Sequence, residues 1–302
     1  MLYKISDMKN LIIIISALFL SISSYRISDA SDKLKVAASF YPLAHFAEQV
    51  GGEKVDITKI IPGNAEPHEY EPTAKDMVKI QTSRVFIFNG AGLEPWAERI
   101  LGDLKKKGVL ILQMAEHVAL LGDKRGTTYD PHIWLDPLFA IKEVELIRDM
   151  FISADPANGN YYRSNCAIYT GKLLLLNERY DKGLKSCKNR DIVVSHNAFG
   201  YLAGRYGFDV HAITGLSPEE EPSPRRMAEI IRTVRAKNIK YIFTEFLDSP
   251  KIAETIANEV GVEILIYSHV SGLTDNDIMA GKTYISAMDE NLKNLRLALS
   301  CE

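Results

Sequence analysis

The chain has 302 residues and a formal net charge of -3 at pH 7. This length is sufficient for two ordinary domains, each with its own hydrophobic core, and a composition of 46% hydrophobic and 25% charged residues is typical of a soluble globular protein. The charge balance contains no basic excess and the chain contains no nucleic-acid-binding motif, which argues against DNA or RNA as a partner.

Residues 1–30 have the layout of a secretory signal peptide. Lys4 and Lys9 precede the apolar run 11–20, and Ser28-Asp29-Ala30 fits a cleavage site. An apolar segment of about ten to twelve residues is too short to span a bilayer comfortably, which favours a cleaved signal over a membrane anchor. No cysteine lies near the cleavage region to accept a lipid. We therefore expect a free periplasmic protein.

Apolar strands alternate with helices through residues 31–154, which we assign to an N-terminal lobe. The predicted strands are Leu34–Ser39, Val55–Ile61, Val85–Phe88 and Val109–Leu112, and the predicted helices are Pro42–Val50, a helix capped by Thr73 and Pro95–Leu104. Fully apolar strands separated by helices are typical of a parallel sheet that is covered on both faces.

The spacing of apolar residues becomes helical from Pro137 to about Phe151, and Asp155-Pro156 can begin a further helix that runs to about Leu184. A periodic pattern of nearly thirty residues is long for a globular helix. Its central position suggests a helix over residues 155–186 that links two lobes. An ordinary long core helix fits the pattern equally well.

The remaining residues, 187–302, repeat the plan of the first half and form a C-terminal lobe. The predicted strands are Asp191–Ser195, Val210–Ile213, Tyr241–Glu245 and Val262–Tyr267, and the predicted helices are Ala198–Tyr206, Pro224–Ala236, Pro250–Val260 and Ile278–Leu299. The predicted fold class is therefore α/β, with two lobes of parallel sheet flanked by helices and joined by one long linking helix.

The chain has three cysteines, an odd number for an oxidising compartment. Cys166 and Cys187 lie on what reads as one long helix, which would place them about 30 Å apart and preclude a bridge. This spacing does not exclude a disulfide between Cys187 and Cys301.

Four histidines lie after predicted strands, where the ligands of open parallel sheets bind. His68, His196 and His269 each follow a strand, and His132 follows one after a longer loop between two prolines that stiffen the backbone. A single histidine at a strand end is more often a hydrogen-bonded loop residue than a ligand. Because the pattern recurs in both halves, we expect the four imidazoles to converge on a metal between the lobes. The other histidines, interpreted as core or surface residues, are His45, His117 and His211.

Three stretches of the chain resemble the metal-binding solute-binding proteins of the ZnuA/TroA type. They are Pro67-His68-Glu69-Tyr70-Glu71-Pro72, Asp130-Pro131-His132-Ile133-Trp134-Leu135-Asp136-Pro137 and Ser195-His196-Asn197-Ala198-Phe199-Gly200-Tyr201-Leu202. The resemblance implies a periplasmic or surface component of an ABC importer for zinc or manganese, which delivers the metal to a membrane permease. It also implies two metal-binding lobes whose closure is limited by a long helix. We expect the protein to be a monomer.

Carried over to this chain, the family's first three ligands fall on His68, His132 and His196. The fourth ligand is usually an aspartate just after the last strand, where this chain has Tyr267-Ser268-His269. His269 is the predicted replacement, and Asp275, Asp277 or water are the alternatives. Glu245 ends a neighbouring strand and is a candidate to orient an imidazole.

Three or four imidazoles favour Zn²⁺, with Mn²⁺ as the alternative, because Mn²⁺ is the weaker binder and prefers more carboxylate ligands. A rival hypothesis is a secreted metal-dependent hydrolase with Glu69 or Glu245 as the general base. The chain has neither an HExxH helix nor a G-x-S-x-G nucleophile elbow. We therefore expect a binding protein and not an enzyme.

Overall fold

The computed structural model describes residues 33–122, 128–218, 220–245 and 251–302. The predicted signal peptide, residues 1–30, lies outside the described residues. Residues Leu34–Glu302 cluster as one compact unit. Within the described ranges, every helix is too short or too polar to cross a membrane.

The N-terminal lobe is built on a four-stranded sheet in the order β2-β1-β3-β4, in which all neighbours are parallel. Its strands are β1 (Leu34–Ala38), β2 (Val55–Lys59), β3 (Val85–Phe88) and β4 (Leu110–Gln113), and its first helices are α1 (Tyr41–Gly51), α2 (Ala74–Thr82) and α3 (Pro95–Lys106). Every residue of β3 is buried. This burial explains why the strand is continuously apolar and shows no alternation.

Two consecutive helices, α4 (Pro137–Ala154) and α5 (Gly159–Leu184), follow the N-terminal sheet. The Asp136 side chain caps α4 by accepting a hydrogen bond from the backbone N–H of Leu138 at 2.9 Å. The 26-residue α5 buries one stripe, Tyr162, Cys166, Tyr169, Leu173, Leu176 and Tyr180. Near its start, Asn165 donates to the Val50 carbonyl of α1, and near its end Tyr180 donates to the Met288 carbonyl. The long helix therefore joins the two lobes, as predicted.

The C-terminal lobe repeats the topology of the first, with a parallel sheet in the order β6-β5-β7-β8. Its strands are β5 (Asp191–Val194), β6 (Asp209–Ala212), β7 (Tyr241–Thr244) and β8 (Glu263–Ile266), and its helices are α6 (Gly200–Tyr206), α7 (Pro224–Ala236), α8 (Lys251–Val260), α9 (Asp275–Met279) and α10 (Tyr284–Ala298). The predicted α/β class with two lobes is confirmed. The predicted boundaries, 31–154, 155–186 and 187–302, lie close to the ends of α4 and α5 and stay a prediction.

The helix predicted over Ile278–Leu299 is two helices, α9 and α10. Thr274 and Thr283 each begin one of them with a capping box. Gly281 between them adopts a φ of 79°, which a helix does not allow. The prediction was wrong here because the apolar spacing continues across the break while the backbone turns.

A disulfide joins Cys187 and Cys301 across 114 residues of sequence. The linking helix α5 ends at Leu184, before Cys187, so the first cysteine of the pair is not helical. Cys166 is a buried free thiol on α5. The bridge ties the beginning of the C-terminal lobe to the end of the chain.

Candidate metal centre

The four predicted histidines lie next to one another between the two sheets. Successive ring centroids are 5.4 Å apart for His68 and His132, 5.4 Å for His132 and His196, and 5.3 Å for His196 and His269. His68 and His132 come from the N-terminal lobe, whereas His196 and His269 follow β5 and β8 of the C-terminal lobe. The structure therefore brings together the four residues that the sequence singled out.

Asp130 fixes the orientation of His132. Its Oδ1 accepts a hydrogen bond from the His132 backbone N–H at 2.9 Å and lies 2.8 Å from His132 Nδ1. Because a carboxylate can only accept, Nδ1 carries the ring proton and the lone pair of the imidazole is on Nε2. This carboxylate–imidazole arrangement is the usual support of a metal-bound histidine. Asp130 had no predicted role, although it stands two residues before His132 in the same stiff loop.

The two N-terminal histidines present their ring nitrogens at a distance that fits a shared metal. His68 Nε2 and His132 Nε2 are 3.4 Å apart. In a tetrahedral zinc site with Zn–N bonds of about 2.0–2.1 Å, two ligand nitrogens are separated by about 3.3–3.4 Å. Burial, followed by the neighbouring His132 and His196, lowers the pKa of His68 to about 2. Burial likewise lowers the pKa of His132, so both rings are neutral and able to bind a cation.

On the C-terminal side, Glu245 follows β7 and lies between two imidazoles. Its Oε1 is 3.3 Å from His196 Nδ1, and its Oε2 contacts His269 Nε2. Ligand atoms of His196, Glu245 and His269 all lie within 4.8 Å of one another, and all three side chains are buried. A cluster of this composition and spacing can hold a divalent cation.

Two residues of the N-terminal lobe approach His269. Trp134 of the N-terminal lobe donates its indole N–H to the His269 carbonyl at 2.7 Å. Glu66, which had no predicted role, places its Oε2 at 3.7 Å from His269 Nε2. The position of Glu66 two residues before His68, in the same proline-containing turn, is the signal that could have identified it. Burial, followed by the neighbouring imidazoles, lowers the pKa of His269 well below its usual value.

The two aspartates considered as alternative fourth ligands belong to the start of α9. Asp277 Oδ2 accepts hydrogen bonds from the Thr274 backbone N–H at 3.0 Å and from its hydroxyl at 2.7 Å. Its carboxylate is thus engaged in capping the helix, although Asp277 and His269 line the same cavity of about 250 Å³. The group of metal-ligating side chains found among the described residues is His196, Glu245 and His269, and it includes neither the two aspartates nor His68 and His132.

The other histidines lie in the surroundings predicted for them. His45 Nε2 is 3.1 Å from the Tyr169 hydroxyl in the core, and burial lowers its pKa to about 4. His211 Nε2 pairs with Asp191 at 2.8 Å, and His117 is exposed. Glu69, the hydrolase base that was considered, is also exposed.

Comparison with known proteins finds relatives that are named as zinc-binding and zinc-uptake proteins. The chain is 38% identical over 293 residues to the zinc-binding lipoprotein AdcA of Streptococcus pneumoniae, covering 93% of this chain and 58% of the relative. It is 34% identical over 281 residues to the high-affinity zinc uptake system protein ZnuA of Bacillus subtilis, covering 89% of this chain and 88% of that protein. The chain thus spans little more than half the length of the streptococcal relative.

The fold agrees with a solved structure, the Zn(II)-bound ZnuA-like domain of Streptococcus pneumoniae AdcA. The two superpose with a TM-score of 0.79 at 38% identity, covering 88% of this chain and 99% of the other. The family model described as ZnuA, the periplasmic component A of a zinc-uptake complex, matches residues 36–298. That family consists of binding components, in agreement with the expectation that the chain is not an enzyme. The chain belongs to the ZnuA family.

Proposed function

We propose that this protein captures Zn²⁺ between its two lobes and delivers it to the permease of an ABC transporter. The ring nitrogens of His68, His132 and His196 bind the metal, and the pair formed by His269 and Glu245 completes the site. One observation carries the proposal: the 3.4 Å separation of His68 Nε2 and His132 Nε2 equals the edge of a zinc tetrahedron. The relatives named above as zinc-binding and zinc-uptake proteins support it.

The donor set favours zinc over manganese. Three imidazoles suit Zn²⁺, and the Irving–Williams order places Mn²⁺ well below Zn²⁺ for any nitrogen-containing site. Two carboxylates, Glu66 and Glu245, lie beside the imidazoles and leave some affinity for Mn²⁺. We therefore propose zinc as the cargo and manganese as a weaker competitor.

The protein works outside the cytoplasm, consistent with the family description and with the Cys187–Cys301 disulfide, which is stable in an oxidising compartment. We propose the periplasm as its location and a monomer as its working form.

Capture involves only a small movement of the lobes, because several contacts already cross between them. Arg205 of α6 donates from Nε to Asp136 Oδ1 at 2.6 Å, and the Tyr201 hydroxyl donates to the Asp130 carbonyl at 2.7 Å. Together with the Trp134–His269 hydrogen bond and α5, these contacts limit hinge opening.

Metal analysis of protein purified without added metal, followed by calorimetric titration with Zn²⁺ and Mn²⁺, tests the proposal. We expect one zinc per chain and tighter binding of Zn²⁺ than of Mn²⁺. The His132→Ala variant should lose most of its zinc affinity, and circular dichroism checks that it stays folded, since His132 lies in a loop but its side chain is buried. The control His211→Ala, which removes an imidazole outside the cluster, should bind zinc normally. Unchanged affinity in folded His132→Ala protein would remove this residue from the site.

A further inference from the structure

We propose that Gly63 and Gly272 are positioning residues, whose contact sets the distance between the two halves of the metal centre and thereby the rate at which zinc leaves. Gly63 follows β2 of the N-terminal lobe, and Gly272 follows β8 of the C-terminal lobe. This inference rests on the proposed function, since it concerns the same site. It gives a role to two residues that have no side chain with which to bind a metal.

The two lobes meet at these glycines with backbone against backbone. A Cβ atom on Gly63 would overlap the carbonyl oxygen of Leu273 and lie 2.6 Å from its carbonyl carbon. A Cβ atom on Gly272 would overlap the carbonyl oxygen of Gly63 and lie 3.0 Å from its carbonyl carbon. Neither glycine has a positive φ, so the local backbone conformation does not demand glycine. The close approach of the opposite lobe does.

This glycine contact adjoins the metal centre on both sides. Gly63 stands five residues before His68 and three before Glu66, whose Oε2 lies 3.7 Å from His269 Nε2. Gly272 stands three residues after His269. Both glycines line the cavity of about 250 Å³ that His269 also lines. A change in the spacing of the lobes at this contact is therefore a change in the distance between the ligands that each lobe supplies.

Both loops at the glycine contact are fixed by their own interactions. The turn that carries Gly63 is closed by a hydrogen bond from the Ala65 N–H to the Pro62 carbonyl at 3.1 Å. In the opposite loop, the Val270 N–H donates to Ser268 Oγ at 3.1 Å. Val270 is fully buried and has a φ of 54°, which β-branched residues rarely adopt unless their surroundings impose it. We therefore expect an added Cβ to be accommodated by separation of the lobes and not by a local shift of either loop.

The size of this separation follows from the contact distances. Carbon atoms in ordinary contact are about 3.5–4.0 Å apart, so a Cβ at 2.6 Å requires a movement of about 1 Å. Metal–ligand distances in proteins tolerate deviations of only about 0.2 Å. After such a movement, His68 and His132 could not share an ion with His196 of the other lobe at normal bond lengths. Because affinity differences between related complexes appear mostly in the dissociation rate, zinc should leave faster.

Stopped-flow measurement of zinc release to an excess of chelator tests the proposal with Gly63→Ala and Gly272→Ala. We expect each variant to release zinc about 10-fold or more faster than the native protein. The matched controls are Gly102→Ala and Gly204→Ala, which change one exposed helical glycine in each lobe. An added Cβ has no atom within 4 Å at either control position, so both controls should release zinc at the native rate.

The double variant Gly63→Ala with Gly272→Ala separates one shared contact from two independent local effects. Either added Cβ already parts the two loops, so the double variant should release zinc more slowly than the product of the two single accelerations predicts. Accelerations that multiply, native release rates in the folded single variants, or an equal acceleration in the controls would overturn the proposal.

Circular dichroism checks that each variant is folded, and one folded single variant is sufficient for the test. Unfolding of both single variants would also overturn the proposal, because the glycines would then be required for the fold and not for the spacing of the lobes. Absence of zinc binding by the native protein would instead refute the proposed function, so the two failures are distinguishable.

Discussion

Removal of the Asp130 carboxylate is a direct test of how the site is organised. Asp130 Oδ1 is the acceptor for both the backbone N–H and the Nδ1 of His132, at 2.9 and 2.8 Å. In Asp130→Ala the imidazole of His132 loses its fixed tautomer and orientation. The backbone carbonyl of residue 130 still accepts a hydrogen bond from the Tyr201 hydroxyl. Loss of such a supporting carboxylate lowers metal affinity by about 10–100-fold, which corresponds to about 1.4–2.7 kcal/mol of binding free energy.

Competition against a chelator of known zinc affinity measures this loss, with circular dichroism as the check on folding. The matched control is Asp191→Ala. It removes a carboxylate that lies 2.8 Å from Nε2 of His211, a histidine outside the cluster. We expect zinc affinity to fall in Asp130→Ala and to stay unchanged in Asp191→Ala. Native affinity in folded Asp130→Ala would refute the idea that this carboxylate prepares His132 for the metal.

Three further outcomes are expected. Burial lowers the pKa of His45 to about 4 and that of His68 to about 2, so both rings stay neutral in the folded chain while the unfolded chain takes up protons near pH 6.5. The free energy of unfolding of the metal-free protein should therefore fall as the pH drops below about 6.5, and urea midpoints that are equal at pH 7.5 and pH 5 would contradict this. The paired substitution Cys187→Ser with Cys301→Ser should lower the free energy of unfolding by about 4–5 kcal/mol, since the bridge closes a loop of more than one hundred residues; an unchanged urea midpoint would argue against this contribution. Solution scattering should show only a small change in radius of gyration on zinc binding, because α5 and the contacts across the cleft limit closure, and a large change would be incompatible with them.

The sequence determined the plan of the molecule because that plan depends on local patterns. Continuous apolar strands separated by amphipathic helices are typical of a parallel sheet that is covered on both faces. The carboxyl ends of parallel strands lie at the same edge of the sheet, which is where ligands bind. The positions of His68, His132, His196 and His269 after strands were therefore sufficient to predict that their imidazoles converge. The proline-flanked loop around His132 was informative for the same reason, since the restriction of φ is a property of the residue itself.

Tertiary structure decided everything that depends on contacts between residues distant in the chain. The Cys187–Cys301 bridge and the break between α9 and α10 could not be read from periodicity, because the first is set by the packing of two chain segments and the second by capping and a single positive φ. The roles within the site depend in the same way on partners. Glu66 reaches His269 from the other lobe, and the carboxylate of Asp130 fixes the tautomer of His132. A sequence shows which side chains can bind a metal, but the proton that decides whether a particular imidazole does so is placed by its neighbours in space.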